Sequence, residues 1–209
     1  MLAQRAASEG PRWTRAVGDQ AGHLSRRDEV SKQAWPRRSG ACTDIDPELR
    51  AALVSIYEEV MWLARRPNVS PSRARGWYTH IMADSVKLRL RNFTGRVSQQ
   101  AVVTQGVDLR LEHYMRIQTT LTALVDRHRT AESPNAEEFI CTVIDYERVH
   151  IVTAKENYDA MRARGDYLKA GIVLVPWADI PSKRRLELWR KMLRGRVANA
   201  AAYAEVSVE

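Results

Sequence analysis

The chain has 209 residues, 44% of them hydrophobic and 28% charged, with 33 Lys and Arg against 25 Asp and Glu and a formal net charge of +8. That supplies the core of one domain of ordinary size. It excludes an acidic solvating chain, a collagen-like chain and a disulfide-dense scaffold, because Cys42 and Cys141 are the two cysteines. No run of 18 apolar residues occurs, so no spanning helix is expected, and the balance points to a basic, soluble, cytoplasmic protein.

Residues 1–42 read as a disordered basic tail, with scattered Arg, early Gly and no apolar period. They lack the apolar core of a secretory signal. Residues 43–209 read as a single domain. Asp46 as N-cap and Pro47 in the first turn open a helix, with Leu49, Leu53, Ile56, Val60 and Leu63 at helical spacing. Pro67 stops it. Tyr57 and Trp62 read as core or core edge. Ser70 and Pro71 open a second helix carrying Trp77, Ile81, Met82 and Val86 on its apolar side, with His80 among them as a hydrogen-bonded core residue. Ala101–Thr104 reads as a short strand. Val107–His113 alternates with period two and reads as a half-buried strand, although Val107, Leu111, Tyr114, Ile117, Leu121 and Leu124 also fit one long helix.

A helix follows from Tyr114 to His128, and Asn135 caps another that buries Phe139, Ile140, Val143 and Ile144. Cys141 beside it reads as an inert buried thiol. Arg148–Thr153 is a β-branched strand, after which Thr153 and Glu156 form a capping box for a helix to about Arg164. Ile172–Val175 reads as an edge strand. Ile180-Pro181-Ser182 opens the last helix, with Leu186, Trp189, Leu193, Val197 and Ala200 on one face. The fold class expected is α+β and mostly helical, with about six helices and a small two- or three-stranded element.

The positive charge is clustered. Ser72–Arg96 holds Arg73, Arg75, Lys87, Arg89, Arg91 and Arg96 against Asp84 alone, and Pro181–Arg196 holds Lys183, Arg184, Arg185, Arg190, Lys191, Arg194 and Arg196 against Glu187 alone. Two such segments form the footprint of a nucleic-acid face, DNA ahead of RNA, because cations that neutralise phosphates release counterions. There is no phosphate-cradling glycine loop, no CxxC and no GxSxG. Tyr146-Glu147-Arg148-Val149-His150 has the spacing of a zinc-protease HExxH, but Tyr146 stands where the first zinc-ligating His would be, so that reading is rejected.

One arrangement carries chemistry. A strand ends in Glu112-His113, and a later strand leads directly into a helix. The stretches Leu109-Arg110-Leu111-Glu112-His113 and Ile151-Val152-Thr153-Ala154-Lys155-Glu156-Asn157-Tyr158-Asp159-Ala160-Met161 resemble the HNH, or His-Me finger, nuclease superfamily over about 60 residues. The resemblance implies a ββα finger. In it His113 would be the general base that activates water, Glu112 a ligand or orienter, and Asn157 or Asp159 a helix ligand to one Mg²⁺ or Mn²⁺. The chain departs from the pattern at the middle Asn, which has no counterpart, and at Met161, which takes the place of a closing His. The expectation is a nucleic-acid-binding protein with metal-dependent phosphodiester hydrolysis. The alternative is a non-enzymatic basic helical DNA-binding or protein-interaction module of phage or mobile-element type.

Overall fold

The computed structural model describes residues 45–105, 108–132 and 134–204. The tail expected at 1–42, with Cys42, lies outside the described residues.

The first helix, α1 (Pro47–Ala64), starts where the cap predicts it. The Asp46 carboxylate accepts from the amides of Glu48 and Leu49, and Leu49, Leu53, Ile56, Tyr57, Val60, Met61 and Ala64 form its buried stripe. The second expected helix is continuous but interrupted. α2 (Pro71–Trp77), capped by Ser70, passes through a π turn at Tyr78–Met82 into α3 (Ala83–Leu90). A π turn carries an extra residue, so it shifts the phase of the faces on either side. That shift corrects the apolar register: Tyr78 is fully buried, whereas Trp77 and Ile81 are exposed. His80, expected in the core, is exposed as well.

The chain then forms β1 (Asn92–Ser98), α4 (Gln99–Val103), β2 (Leu109–His113), α5 (Ile117–Thr130), α6 (Ala136–Tyr146), β3 (Arg148–Thr153), α7 (Ala154–Arg162), β4 (Leu174–Pro176) and α8 (Ser182–Leu188), which runs into a second π turn at Trp189–Leu193. The strand expected at Ala101–Thr104 is instead the helix α4. The Ser98 hydroxyl caps it by accepting from the Ala101 amide at 3.0 Å, and a side-chain cap outweighs a short β-branched run. The strand reading of Leu109–His113 holds over the long-helix alternative, with α5 beginning three residues after the turn at Tyr114. The capping box at Thr153 and Glu156 is present.

The sheet has four strands in the order β2-β3-β1-β4, one more than the upper expectation. β1 and β3 are parallel, and the other two pairs are antiparallel. The register slips between Phe93 and Val97. Gly95 sits in that slip at φ 76°, and a Cβ there would come within 3.2 Å of the Tyr203 hydroxyl.

Two cores result. One is helical and lies among α1, the α2–α3 helix, α5 and α6. A buried chain ties it together: the Tyr57 hydroxyl bonds His128 Nδ1 at 2.9 Å, and His128 Nε2 bonds Glu138 at 3.0 Å. The other joins Phe93, Val97, Leu109, Val149 and Ile151 of the sheet to Leu188, Met192 and Leu193 of the last helical segment. Cys141 is disulfide-bonded and so is not the inert thiol expected. No helix among the described residues is long and apolar enough to cross a membrane.

Candidate functional site

The ββα order expected from the sequence is present. β2 lies antiparallel to β3, and β3 passes directly into α7, which packs against both strands. Glu112 stands opposite His150 and His113 opposite Val149. Successive strand residues point to opposite faces. His113 therefore shares a face with Leu109 and Leu111, while Glu112 shares the other with His150.

His113 is fixed from two sides. Its ring stacks on Tyr146, with centroids 4.3 Å apart and planes 6° apart, and its Nε2 lies 3.4 Å from Glu147 Oε2. Glu147 is 2% exposed. Its carboxylate also accepts from Arg91 Nε at 3.1 Å. A carboxylate held by an arginine and facing an imidazole orients the ring, as an acid behind a general base must. Glu147 is thus the acid that partners His113. In the sequence Glu147 stands inside the Tyr146–His150 stretch, whose spacing carries no zinc site. Its signal was a Glu directly preceding a strand that pairs with the one ending in His113.

Burial pushes the Glu112 carboxyl up, and the charges of His113 and Arg116 draw it partly back. Opposite it, His150 is buried. The Thr94 hydroxyl lies 3.1 Å from the Val149 carbonyl and 2.5 Å from His150 Nδ1. A hydroxyl has one proton, so with that proton given to Val149 it accepts from Nδ1–H. Burial, followed by the charges of Arg96 and Arg148, depresses the His150 pKa from 6.5 to about 4.

Buried side-chain atoms without a hydrogen-bond partner among the described residues include Arg75 Nε, Tyr78 Oη, Arg116 Nε and Tyr167 Oη. Glu147 and Tyr146 act on Tyr78, whose phenol is raised chiefly by burial. Glu112 and Arg116 act on Tyr167, also raised chiefly by burial. Arg75 acts on Tyr146, which burial raises as well. Buried polar atoms are usually paired; a fifth such atom among the described residues, Arg184 Nε, lies on α8.

Of the residues named at the expected metal site, two already have other partners. Asp159 is paired with Lys155 at 2.8 Å, His113 faces Glu147, and Asn157 is half-buried on α7. Among the described residues no three of His, Cys, Asp and Glu gather closely enough to hold a metal ion.

The basic residues divide into two kinds. Arg184 is 9% exposed. It donates to the carbonyls of Ala101 and Thr104 at 2.6 and 2.8 Å and pairs with Glu187 at 2.5 Å, so it serves the fold and not a ligand. Arg91 serves Glu147, Arg75 reaches Thr79, Lys87 pairs with Asp84, and Arg89 pairs with Asp46. Arg185 bonds Ala178 and Ser182. Arg73, Lys183, Arg190, Arg194 and Arg196 are exposed, as is Lys191, which is not without a partner. Four of them, from Arg190 to Arg196, fall along the second π turn and the residues just after it.

No family model, curated protein or solved structure matches the chain.

Proposed function

We propose that the protein binds nucleic acid, duplex DNA ahead of RNA, through the cationic ridge at the end of its last helical segment. One observation carries the reading. Buried Arg184 draws Glu187, the one acid of residues 181–196, into its own ion pair. Arg190, Arg194 and Arg196 are left exposed without an acidic partner among the described residues. Cations in that state are available to phosphates, and the counterions they release drive association. Such contacts position a backbone and read no sequence. Residence in the cytoplasm belongs to the same proposal.

Gel retardation with a short mixed-sequence duplex at low salt tests it. The double variant Arg190→Glu/Arg194→Glu should bind on the order of tenfold or more weakly, with an unchanged circular dichroism spectrum. Equal retardation of both proteins would remove the ridge from the interface. No retardation of the wild type would remove nucleic acid altogether.

A second reading, phosphodiester hydrolysis, is supported by the antiparallel β2–β3 pair leading into α7 and by the His113–Glu147 pair. In it the imidazole, oriented by Glu147 and Tyr146, takes a proton from water. The test is plasmid nicking with Mg²⁺, Mn²⁺ or EDTA beside His113→Ala. Nicking lost in the variant supports the reading, and retarded but intact DNA in every lane rules it out.

A further inference from the structure

The outward face of α1 differs in chemistry from the rest of this basic protein. Ser55, Glu58, Glu59 and Trp62 recur at helical spacing on the exposed side of α1, and with Trp77 of α2 and the half-buried Leu63, which also packs on the helical core, they line a groove of about 610 Å³. Trp62 is 60% exposed and Trp77 46% exposed, and Ile81, about one turn beyond Trp77, is 58% exposed. The sequence reading placed all three in or beside the core. Exposed apolar residues gathered in this way mark interaction surfaces, whereas scattered single ones do not.

The rim of the groove is acidic. Glu58 and Glu59 are exposed, and neither has an ion-pair partner among the described residues, in a chain whose net charge is +8. Most other acids near exposed cations are paired: Asp84 with Lys87, Asp126 with Arg129 and Asp166 with Lys169. Trp62 already accepts a cation on one ring face, where the Arg66 guanidinium lies 3.9 Å from the centroid. Arg65 and Arg66 line a neighbouring cavity, which also takes in Glu58 and Trp62, on the side toward Pro134. The Trp77 side of Trp62 is bordered by the two glutamates.

We propose that this groove is a docking site for a basic, apolar-anchored segment of another protein. Its aliphatic residue enters between Trp62 and Trp77, and its Arg or Lys lies against Glu58 and Glu59. Charge complementarity selects this occupant. A nucleic-acid strand would meet two unneutralised carboxylates, and a purely apolar partner would leave them desolvated without a counter-charge. The site is independent of the cationic ridge and of any chemistry at His113.

The probe is a short synthetic peptide alternating arginine and leucine, followed by tryptophan fluorescence and calorimetry on the full chain. A scrambled glutamate–leucine peptide serves as control. We expect saturable binding of the basic peptide alone. Glu58→Gln/Glu59→Gln should weaken it at least about tenfold and Trp77→Ala should abolish it, with thermal unfolding unchanged in the former. Equal affinity of the glutamine variant, or no binding by wild type, overturns the proposal. Sedimentation that shows a dimer lost in Trp62→Ala would assign the groove to a second copy and overturn it. A carbodiimide cross-link from Glu58 or Glu59 within the monomer would assign the groove to the chain's own basic residues, with the same result.

Discussion

His150 makes the clearest physical commitment at the scale of single residues. It is 4% exposed, and the Thr94 hydroxyl accepts the proton of its Nδ1. The folded ring stays neutral down to about pH 4, whereas an unfolded one protonates near its ordinary value of 6.5. Between those values the unfolded state binds more protons. Stability therefore rises with pH across the window and is lost as pH falls through it. The full displacement is worth roughly 3 kcal/mol. Urea unfolding of wild type and His150→Asn at steps from pH 7 to pH 4 should show a stability difference that moves in the variant's favour as the solution is acidified. A difference constant with pH would mean that His150 titrates alike in both states. Arg91 and Arg184 teach a related lesson about charge. Both stand in the basic clusters of the sequence, yet the first holds Glu147 and the second holds two carbonyls and Glu187. Counting cations along a chain overstates the positive surface by the number it uses inside.

At the scale of elements, the polar side chains that complete the sheet matter as much as its strands. Asn199 lies far from β1 in sequence, but its amide pairs with one residue in both directions. Phe93 N–H donates to Asn199 Oδ1 at 2.8 Å, and Asn199 Nδ2 donates to the Phe93 carbonyl at 2.9 Å. Asn199→Ala should leave the buried Phe93 amide unpaired, while the Phe93 carbonyl keeps the Tyr203 hydroxyl at 3.2 Å, and should cost about 1–2 kcal/mol. Hydrogen exchange should quicken at the Phe93 amide, and unchanged exchange there would show that the pairing does not hold β1. No local pattern announces such a contact, which explains why β1 went unread. Its sequence, Asn92-Phe93-Thr94-Gly95-Arg96-Val97-Ser98, is broken by a glycine that marks a slip in register and not an end of the strand. Caps were legible because they are local: Asp46, Ser70, Asn135 and Thr153 each accept from an amide two or three residues on. The π turns were not, since widening a helical turn takes no special residue type, and it moved Trp77 and Ile81 out of the core. Of the candidate site, His113 at the end of a strand was legible from alternation. Glu147, Tyr146 and Arg91 were not, because Glu147 and Tyr146 meet His113 only through the pairing of β2 with β3, and Arg91 reaches Glu147 only through the placement of α3's end.

At the scale of the whole molecule, the chain separates its charges. Among the described residues, ion pairs consume most acids together with nearby cations, and two of the outward features are a cationic ridge after α8 and an acidic, tryptophan-lined groove on α1. A uniformly basic surface would bind polyanions everywhere, with a salt dependence that no single substitution changes much. A ridge predicts something sharper. If Arg190, Lys191, Arg194 and Arg196 make the phosphate contacts, the logarithm of the duplex affinity should fall against the logarithm of salt concentration with a slope of roughly −3 to −4. Arg190→Ala/Arg194→Ala should flatten that slope by about 2, while Arg73→Ala, on a different helix, should leave it as it is. The measurement is a fluorescence-anisotropy titration of labelled duplex at several salt concentrations. Equal slopes in all three proteins would spread the interface over the whole surface. A slope near zero, with binding undisturbed by unrelated duplex, would leave a protein partner as the ridge's ligand, because only a nucleic acid brings condensed counterions to release.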